Sequence, residues 1–179
     1  MITLLLSLAM FNSNITQTQD VLSDFSKMSE IENWTIINDR VMGGKSQGKF
    51  KTTENGTAIF KGDVSLKNNG GFTSIRYSFQ NKNISGSTKV LIKLKGDKKK
   101  YQFRVKNQLT DRHAYKYEFS TIGNWQTIVI PLSEMVPTFR GMRPNLPNYE
   151  AEILSEIGFL ISNKKNESFN LEIAKIWLQ

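Results

Sequence analysis

The chain has 179 residues, a length that suits a single domain with its own hydrophobic core. It contains no cysteine and only one histidine, His113, which excludes a disulfide framework, a thiolate metal site and a zinc site built from several histidines. The net charge is +8, and so much lysine favours solvated surface side chains over a nucleic-acid site. We therefore expect no nucleic-acid partner, no cofactor and no metal.

Residues 1–19 have the character of a hydrophobic leader. An apolar run over residues 1–11 is followed by a polar stretch, and the run is shorter than the roughly 20 residues that a transmembrane helix needs. We expect export to a bacterial periplasm or cell envelope, with a cytoplasmic location as the alternative, and no transmembrane segment. A single domain is expected over residues 20–179, and the apolar spacing allows a short helix over Asp20–Glu30.

Two segments with a Gly-Gly pair, Gly43-Gly44 and Gly70-Gly71, come next along the chain. Glycine pairs allow positive φ angles and close backbone approach, so we predict that both segments form one structural corner. Within it, Val41, Met42 and Phe72 would fill the edge of the core, and Asp39 would pair with Arg76. The expected members of the corner are Trp34, Asp39, Arg40, Val41, Met42, Gly43, Gly44, Ser46, Gly70, Gly71, Phe72 and Arg76.

The string Gly44-Lys45-Ser46 has the appearance of the end of a phosphate-binding loop. Such a loop needs a glycine five residues before Gly44, because its backbone N–H groups wrap the phosphates. Asp39 stands at that position, and its carboxylate would repel a phosphate. Nucleotide binding is therefore not expected here.

After residue 88, apolar and polar residues alternate with the period of two that is typical of half-buried antiparallel strands. The predicted strands cover residues 89–95, 101–107, 115–119, 125–131 and 169–174, with a bulge near Ala174. Turn residues separate the strands, and residues 137–147 form a long loop bounded by prolines. The pattern predicts a β-sandwich or barrel, and it allows one further short helix over residues 148–154.

A catalytic apparatus is missing from the sequence. The acidic residues that could form a general acid/base pair, Asp39, Asp63, Glu118 and Glu134, are scattered along the chain. The chain has no nucleophile elbow, and any serine triad would depend on the one histidine. We therefore predict that the protein is not an enzyme.

Several strings together resemble the complex I intermediate-associated protein 30 family. They are Asn38-Asp39-Arg40-Val41-Met42-Gly43-Gly44-Lys45-Ser46 and residues 58–62, 69–76, 95–101, 125–131, 139–141, 157–161 and 169–176. The resemblance runs from about residue 24 to the C-terminus, and Arg40 stands where the family often has Gly.

The resemblance implies an all-β jelly-roll sandwich of the galactose-binding-domain type, related to carbohydrate-binding modules, and no enzymatic activity. Mitochondrial members of the family act as assembly chaperones for the respiratory NADH:ubiquinone oxidoreductase. For this chain the resemblance implies a non-catalytic protein-binding module of the assembly-factor kind. Its partner would be an unfolded or intermediate protein, such as an assembly intermediate of a respiratory complex.

A carbohydrate-binding module is the alternative function. Sugar binding needs only an aromatic platform and a few polar side chains that bond hydroxyls. Tyr101, Arg104, Tyr115 and Tyr117 lie on neighbouring predicted strands, and Arg140 lies in the loop that could overhang them. Strand alternation does not say whether the tyrosines face the core or the solvent, so both functions stay open.

Overall fold

The computed structural model describes residues 20–179, without the side chains of residues 28–30 and 41–42. The predicted leader over residues 1–19 lies outside the described residues. The strands are β1 (Asp20–Asp24), β2 (Trp34–Asn38), β3 (Gln47–Thr52), β4 (Ala58–Val64), β5 (Thr73–Asn83), β6 (Lys89–Lys95), β7 (Lys100–Lys106), β8 (Ala114–Ser120), β9 (Trp125–Pro131), β10 (Val136–Thr138), β11 (Ile153–Ile161) and β12 (Glu167–Leu178). Short 3-10 turns cover Met28–Asn33, Asp39–Met42, Lys67–Asn69 and Leu132–Glu134.

The strands form two six-stranded antiparallel sheets that enclose one hydrophobic core. Sheet 1 has the order β3-β4-β12-β6-β9, with β1 paired to the end of β12, and sheet 2 has the order β10-β8-β7-β11-β5-β2. Rings from both sheets meet inside, as where Tyr101 of sheet 2 packs edge-on against Phe169 of sheet 1. The prediction of an all-β jelly-roll sandwich is confirmed.

The alternation of apolar and polar residues located the later strands well. The bounds of β6 and β9 are those predicted, β8 and β12 cover the expected residues, and β7 begins and ends one residue earlier than predicted. The predicted bulge is confirmed, because the register of β12 against β6 shifts between Ile173 and Lys175. Within residues 20–179, no helix is long and apolar enough to cross a membrane.

Both suggested helices are wrong. Asp20–Asp24 is strand β1, because β12 extends beyond β4 after Ile173 and offers it a hydrogen-bonding edge there, and only a 3-10 turn over Met28–Asn33 follows. Residues 148–152 are irregular and lead into β11; the buried Tyr149 anchors them by donating from its hydroxyl to the Ile153 carbonyl at 2.7 Å. In both places tertiary pairing and packing outweigh the local apolar spacing.

The predicted loop over residues 137–147 begins only after Thr138, because its first two residues belong to the short strand β10. Pro137 lies in β10, which is an edge strand of sheet 2 and pairs only with β8. A proline is tolerated there because an edge strand leaves one side of its backbone without sheet partners. The remaining residues of the segment connect β10 to β11.

Candidate functional site

Asp39 is the centre of the corner that the two Gly-Gly segments form. It is 0% exposed, and its carboxylate accepts hydrogen bonds from the Ser46 backbone N–H at 3.0 Å, the Ser46 hydroxyl at 2.5 Å, the Gly71 N–H at 2.7 Å and the Phe72 N–H at 3.4 Å. Burial raises the pKa of Asp39, but these hydrogen bonds outweigh it and hold the pKa below its ordinary value. The buried carboxylate thus joins the end of β2 to both glycine segments.

Asn38 adds a second tie beside Asp39. Its side-chain oxygen accepts from the Gly48 N–H at 2.9 Å and from the Thr73 hydroxyl at 2.6 Å, so it connects β2 with the starts of β3 and β5. Consecutive polar side chains therefore satisfy backbone donors where the strands leave the sheet ladder. This accounts for the adjacent Asn-Asp pair in the motif.

The glycines of the corner serve different purposes. Gly43 has φ +85° and open space around it, so its backbone conformation is what requires glycine. A Cβ on Gly44 would overlap the Asp39 carboxylate, and a Cβ on Gly70 would lie 2.5 Å from the Asp39 Oδ2. Gly44 and Gly70 are thus needed because the buried carboxylate occupies the space of a side chain.

Replacing Gly43 with Val is expected to lower the free energy of unfolding by about 1–2 kcal/mol, because a β-branched residue adopts a positive φ with strain. The matched control is Gly86→Val, since Gly86 also has open space around it but no positive φ. Urea unfolding of both variants measures the difference. Equal stability of the two variants would contradict the assignment of the Gly43 effect to its backbone angle.

The predicted ion pair between Asp39 and Arg76 is wrong. Asp39 is fully occupied by its donors in the corner, whereas Arg76 extends from the outer face of sheet 2, where its Nη1 lies 3.9 Å from the Glu156 carboxylate. Phe72 also departs from its predicted place, since its half-buried side chain lines a cleft on that outer face.

The other expected members of the corner vary in exposure. Trp34 and Ser46 are buried, whereas Arg40 is exposed. The backbone of Val41 and Met42 completes the 3-10 turn after β2. Their side chains are not described, so their place at the edge of the core stays a prediction.

A concave cleft of about 800 Å³ lies on the outer face of sheet 2, and we call it the basic cleft. This volume is within the range of ordinary ligand sites. Its lining contains eight cationic side chains and two carboxylates. The cations are Arg76, Lys100, Arg104, Lys106, Arg112, Lys116, Arg140 and Lys164, and the carboxylates are Glu118 and Glu156.

The floor of the basic cleft is a row of residues in register across neighbouring strands. Gly158 of the central strand β11 lies opposite Arg76 of β5 on one side and opposite Arg104 of β7 on the other. Arg104 in turn pairs with Lys116 of β8. Because Gly158 has no side chain, the two arginines flank a gap in the middle of the sheet face.

A hydrogen-bond network holds Arg104 in place. Its Nε and Nη2 donate to the Gln102 side-chain oxygen at 3.0 and 2.6 Å, and the Gln102 amide donates to Glu118 at 3.0 Å. Burial and the neighbouring charge of Arg76 lower the pKa of Arg104 to about 10. At neutral pH Arg104 is therefore a fixed cation, and among the described residues it has no carboxylate in an ion pair.

The wall of the basic cleft is formed by the connection after β10. Phe139 and Met142 form an isolated bridge, and the guanidinium groups of Arg112 and Arg140 lie 5.1 and 5.4 Å from the centre of the Phe139 ring. The ring holds both cations beside the floor through cation–π contacts. Arg140 thus lines the same cleft as Arg104.

The proposed tyrosine platform is wrong. Tyr101 and Tyr115 are 1% and 7% exposed and belong to the core, and the half-buried Tyr117 packs against that core. All three share the inner face with Phe103 and Phe119, while Gln102, Arg104 and Lys116 occupy the outer face. The hydrophobic effect decides the side, because burying the rings removes more apolar area from water than burying the polar alternates would.

The four acidic residues considered for a general acid/base pair lie on different elements. Asp39 lies in the corner, Asp63 on β4, Glu118 on β8 and Glu134 in the turn after β9. Within the cleft, a hydrogen bond from Lys116 is the main cause that lowers the pKa of Glu118, so this group is ionised at neutral pH. Residues 20–179 contain no cluster of three His, Asp or Glu side chains that could hold a metal ion.

The sequence reasoning missed most of the cleft. Among the candidate site residues it named Arg76, Arg104 and Arg140, whereas Gln102, Glu156, Gly158 and Phe139 were not among them. The alternation in β7 did contain a signal for Gln102, because a residue between two core aromatic residues of a strand must lie on the face away from the core. Gly158 and Phe139 carry no such local signal, since their role depends on the strands and loops beside them.

Residues 23–173 match the family described as Complex I intermediate-associated protein 30. The chain belongs to this family. The family match and the sandwich fold together support a binding module. The hydrogen bonds of the Asp39 corner explain why the string from Asn38 to Ser46 combines an acid, two glycines and a serine.

The fold is also that of carbohydrate-binding modules. The family 11 carbohydrate-binding module of a cellulosomal cellulase of Clostridium thermocellum is similar with a TM-score of 0.66 and 19% identity over 89% of this chain and 93% of that one. The same module in complex with a β-1,3-1,4-mixed-linked tetrasaccharide has a TM-score of 0.64 and 19% identity, over 89% of this chain and 94% of that one. An exo-β-agarase has a TM-score of 0.58 and 13% identity, over 89% of this chain and 25% of that one.

Proposed function

We propose that this protein is a non-catalytic module that holds a partner protein in the basic cleft, in the manner of an assembly factor. The observation that carries the proposal is the composition of the cleft, with eight cations and two carboxylates around an open floor. Such a surface attracts and orients an acidic partner at long range. Membership of the complex I intermediate-associated protein 30 family supports a protein as that partner.

The chemistry of the cleft also favours binding over catalysis. Glu118 accepts a hydrogen bond from Lys116 and stays ionised, and among the described residues that line the cleft no activated nucleophile lies beside a base. Catalysis would require such a pair with separated pKa values, or a metal with several ligands. Binding requires only complementary charge and shape.

The test is capture of a partner from the native host by two variants that have the same net charge but carry their reversed charges at different places on the surface. Lys106→Glu with Lys164→Glu reverses two charges in the cleft, and Lys61→Glu with Lys93→Glu reverses two exposed charges on sheet 1. We expect the cleft variant to lose the partner by about tenfold or more and the sheet 1 variant to retain it, because local complementarity outweighs net charge at contact distance. Quantitative mass spectrometry of the captured protein measures the ratio, and equal capture by both variants would contradict the proposal.

A carbohydrate ligand is the second candidate. Two half-buried rings, Phe72 and Phe139, line the cleft beside many hydrogen-bonding side chains, and sugar rings stack on such faces. The similar fold of the carbohydrate-binding modules supports it. Calorimetric binding of the mixed-linked tetrasaccharide, with no protein whose capture depends on the cleft, would favour this candidate over the first.

A further inference from the structure

The gap above Gly158 is bounded by two cations that lack a matched anion. The Arg76 Nη1 lies 3.9 Å from Glu156, a long distance for an ion pair, and Arg104 bonds to the neutral Gln102. Of the described residues, none accepts a hydrogen bond from the Arg104 Nη1. The two guanidinium groups therefore remain available to an incoming oxyanion.

The glycine between them is what keeps the gap open. A Cβ on Gly158 would lie 2.6 Å from the Ile75 carbonyl oxygen and 3.3 Å from the Arg76 Cγ. Because Arg76 and Arg104 stand on the strands at either side of β11, their backbones are about 10 Å apart. Two long side chains can close over that distance on a single anion, whereas any side chain at position 158 would occupy the same space.

The spacing along β7 indicates the form of the ligand. Gln102, Arg104 and Lys106 all extend from the outer face, at the strand repeat of roughly 6.6 Å between alternate residues. An extended peptide repeats its side chains at the same distance. Alternate acidic residues of such a peptide would therefore meet successive donors along the strand.

We infer that Arg76 and Arg104 form a carboxylate-binding site above Gly158, and that the site recognises an extended acidic segment of the partner protein with acidic residues at alternate positions. This inference rests on the proposed function and names the chemistry of the partner. One carboxylate lies in the gap between the two guanidinium groups. Lys106, two residues along β7 from Arg104, receives the next acidic side chain.

The first experiment measures a fluorescent decapeptide that alternates Glu and Ser, by anisotropy at low salt with the whole chain. Arg104→Gln and Arg76→Gln should each weaken binding about tenfold, because a charge-assisted bidentate contact is lost. Arg104→Lys should recover only part of the affinity, since it restores the charge but not the planar fork. Arg143→Gln is the matched control, because Arg143 is exposed and lies outside the lining of the cleft.

A second measurement reports the contact itself. In 15N spectra, the Nε–H signals of Arg76 and Arg104 should shift on addition of the alternating peptide, while that of Arg143 stays in place. A peptide of the same composition with the sequence Glu-Glu-Ser-Ser-Glu-Glu-Ser-Ser-Glu-Ser should bind several-fold more weakly, because no two of its acids are two residues apart, as the repeat of β7 requires. The inference would be overturned if the wild type bound both peptides equally. It would also be overturned if both glutamine variants bound the alternating peptide as tightly as the wild type does.

Competing ligand classes are separated in the same assay. Binding of polygalacturonate or of a ten-residue oligothymidylate without binding of the alternating peptide would overturn the peptide assignment. If both glutamine variants bind the peptide normally but the Lys106→Glu, Lys164→Glu variant still loses the partner, the inference fails and the proposed function stands. If the peptide depends on both arginines but capture of the partner does not depend on the cleft, the carboxylate-binding site stands, while the proposed function and the assignment of the site to a partner protein fail.

Discussion

Replacing Trp34 with Ala is expected to lower the free energy of unfolding by about 3–5 kcal/mol, the usual effect of removing a large buried aromatic side chain. Trp34 is 8% exposed, and its ring centre lies 5.4–6.3 Å from four other aromatic ring centres. These rings are Phe25, Phe50, Tyr77 and Phe159. Phe50 belongs to sheet 1, and Tyr77 and Phe159 belong to sheet 2, so the deletion leaves a cavity that neither sheet can close alone.

Two further variants identify the cause of the Trp34 effect. Trp125→Ala removes the same side chain from an exposed site on β9, where it is 43% exposed, and should change stability by less than about 1 kcal/mol. Trp34→Phe should retain most of the stability, because the ring contacts persist and the indole N–H has no hydrogen-bond partner among the described residues. Urea unfolding measures all three, and equal losses for Trp34→Ala and Trp125→Ala would contradict the packing argument.

Replacing Asp39 with Asn is expected to destabilise the protein by about 3 kcal/mol, because a buried charge-assisted network is broken while its donors stay buried. Asparagine has the shape of aspartate but presents an NH₂ group on one side. In either orientation, that NH₂ group would face a backbone N–H, that of Ser46 on one side or those of Gly71 and Phe72 on the other. Two donors would then face each other without an acceptor. The change should also loosen the rim of the cleft at Phe72.

The pH dependence of stability provides a second readout for Asp39. Its pKa is below the ordinary value of 3.8, so its contribution is fully present above that pH and is lost as the pH falls through the folded-state pKa. The Asp39→Asn variant should therefore lose less stability in acid than the wild type does. It should not abolish that loss, since hydrogen bonds from Ser26 and Lys116 also lower the pKa values of Asp24 and Glu118.

The control for Asp39 is Asp63→Asn. Asp63 also accepts a serine hydroxyl, that of Ser168 at 2.6 Å, but it is exposed, so its replacement should cost less than about 1 kcal/mol. Unfolding curves from pH 7 to pH 3 compare the variants with the wild type. An Asp39→Asn variant as stable as Asp63→Asn would show that the corner does not depend on the carboxylate.

The sequence alone determined the strands whose two faces differ. In β6, Val90, Ile92 and Leu94 alternate with exposed or half-buried residues, and the hydrophobic effect acts on that pattern wherever the strand lies. Turns were equally local, because Asn-Gly and Gly-Asp pairs favour chain reversal by their own backbone preferences. Family membership followed in the same way, from the short string around Asp39 and the later strings.

Only the tertiary structure decided which partners the polar residues met. Local spacing suggested a helix over Asp20–Glu30, yet the free edge of β12 made its first part a strand. The predicted corner suggested Arg76 as the partner of Asp39, yet the carboxylate is enclosed by donors from two segments, at Ser46 and at Gly71 with Phe72. Arg76 instead stands beside Arg104, because β5, β11 and β7 are neighbours in sheet 2. Pairing across a sheet joins residues that are far apart in the chain. The basic cleft therefore depends on the order of the strands in sheet 2, which no single stretch of sequence specifies.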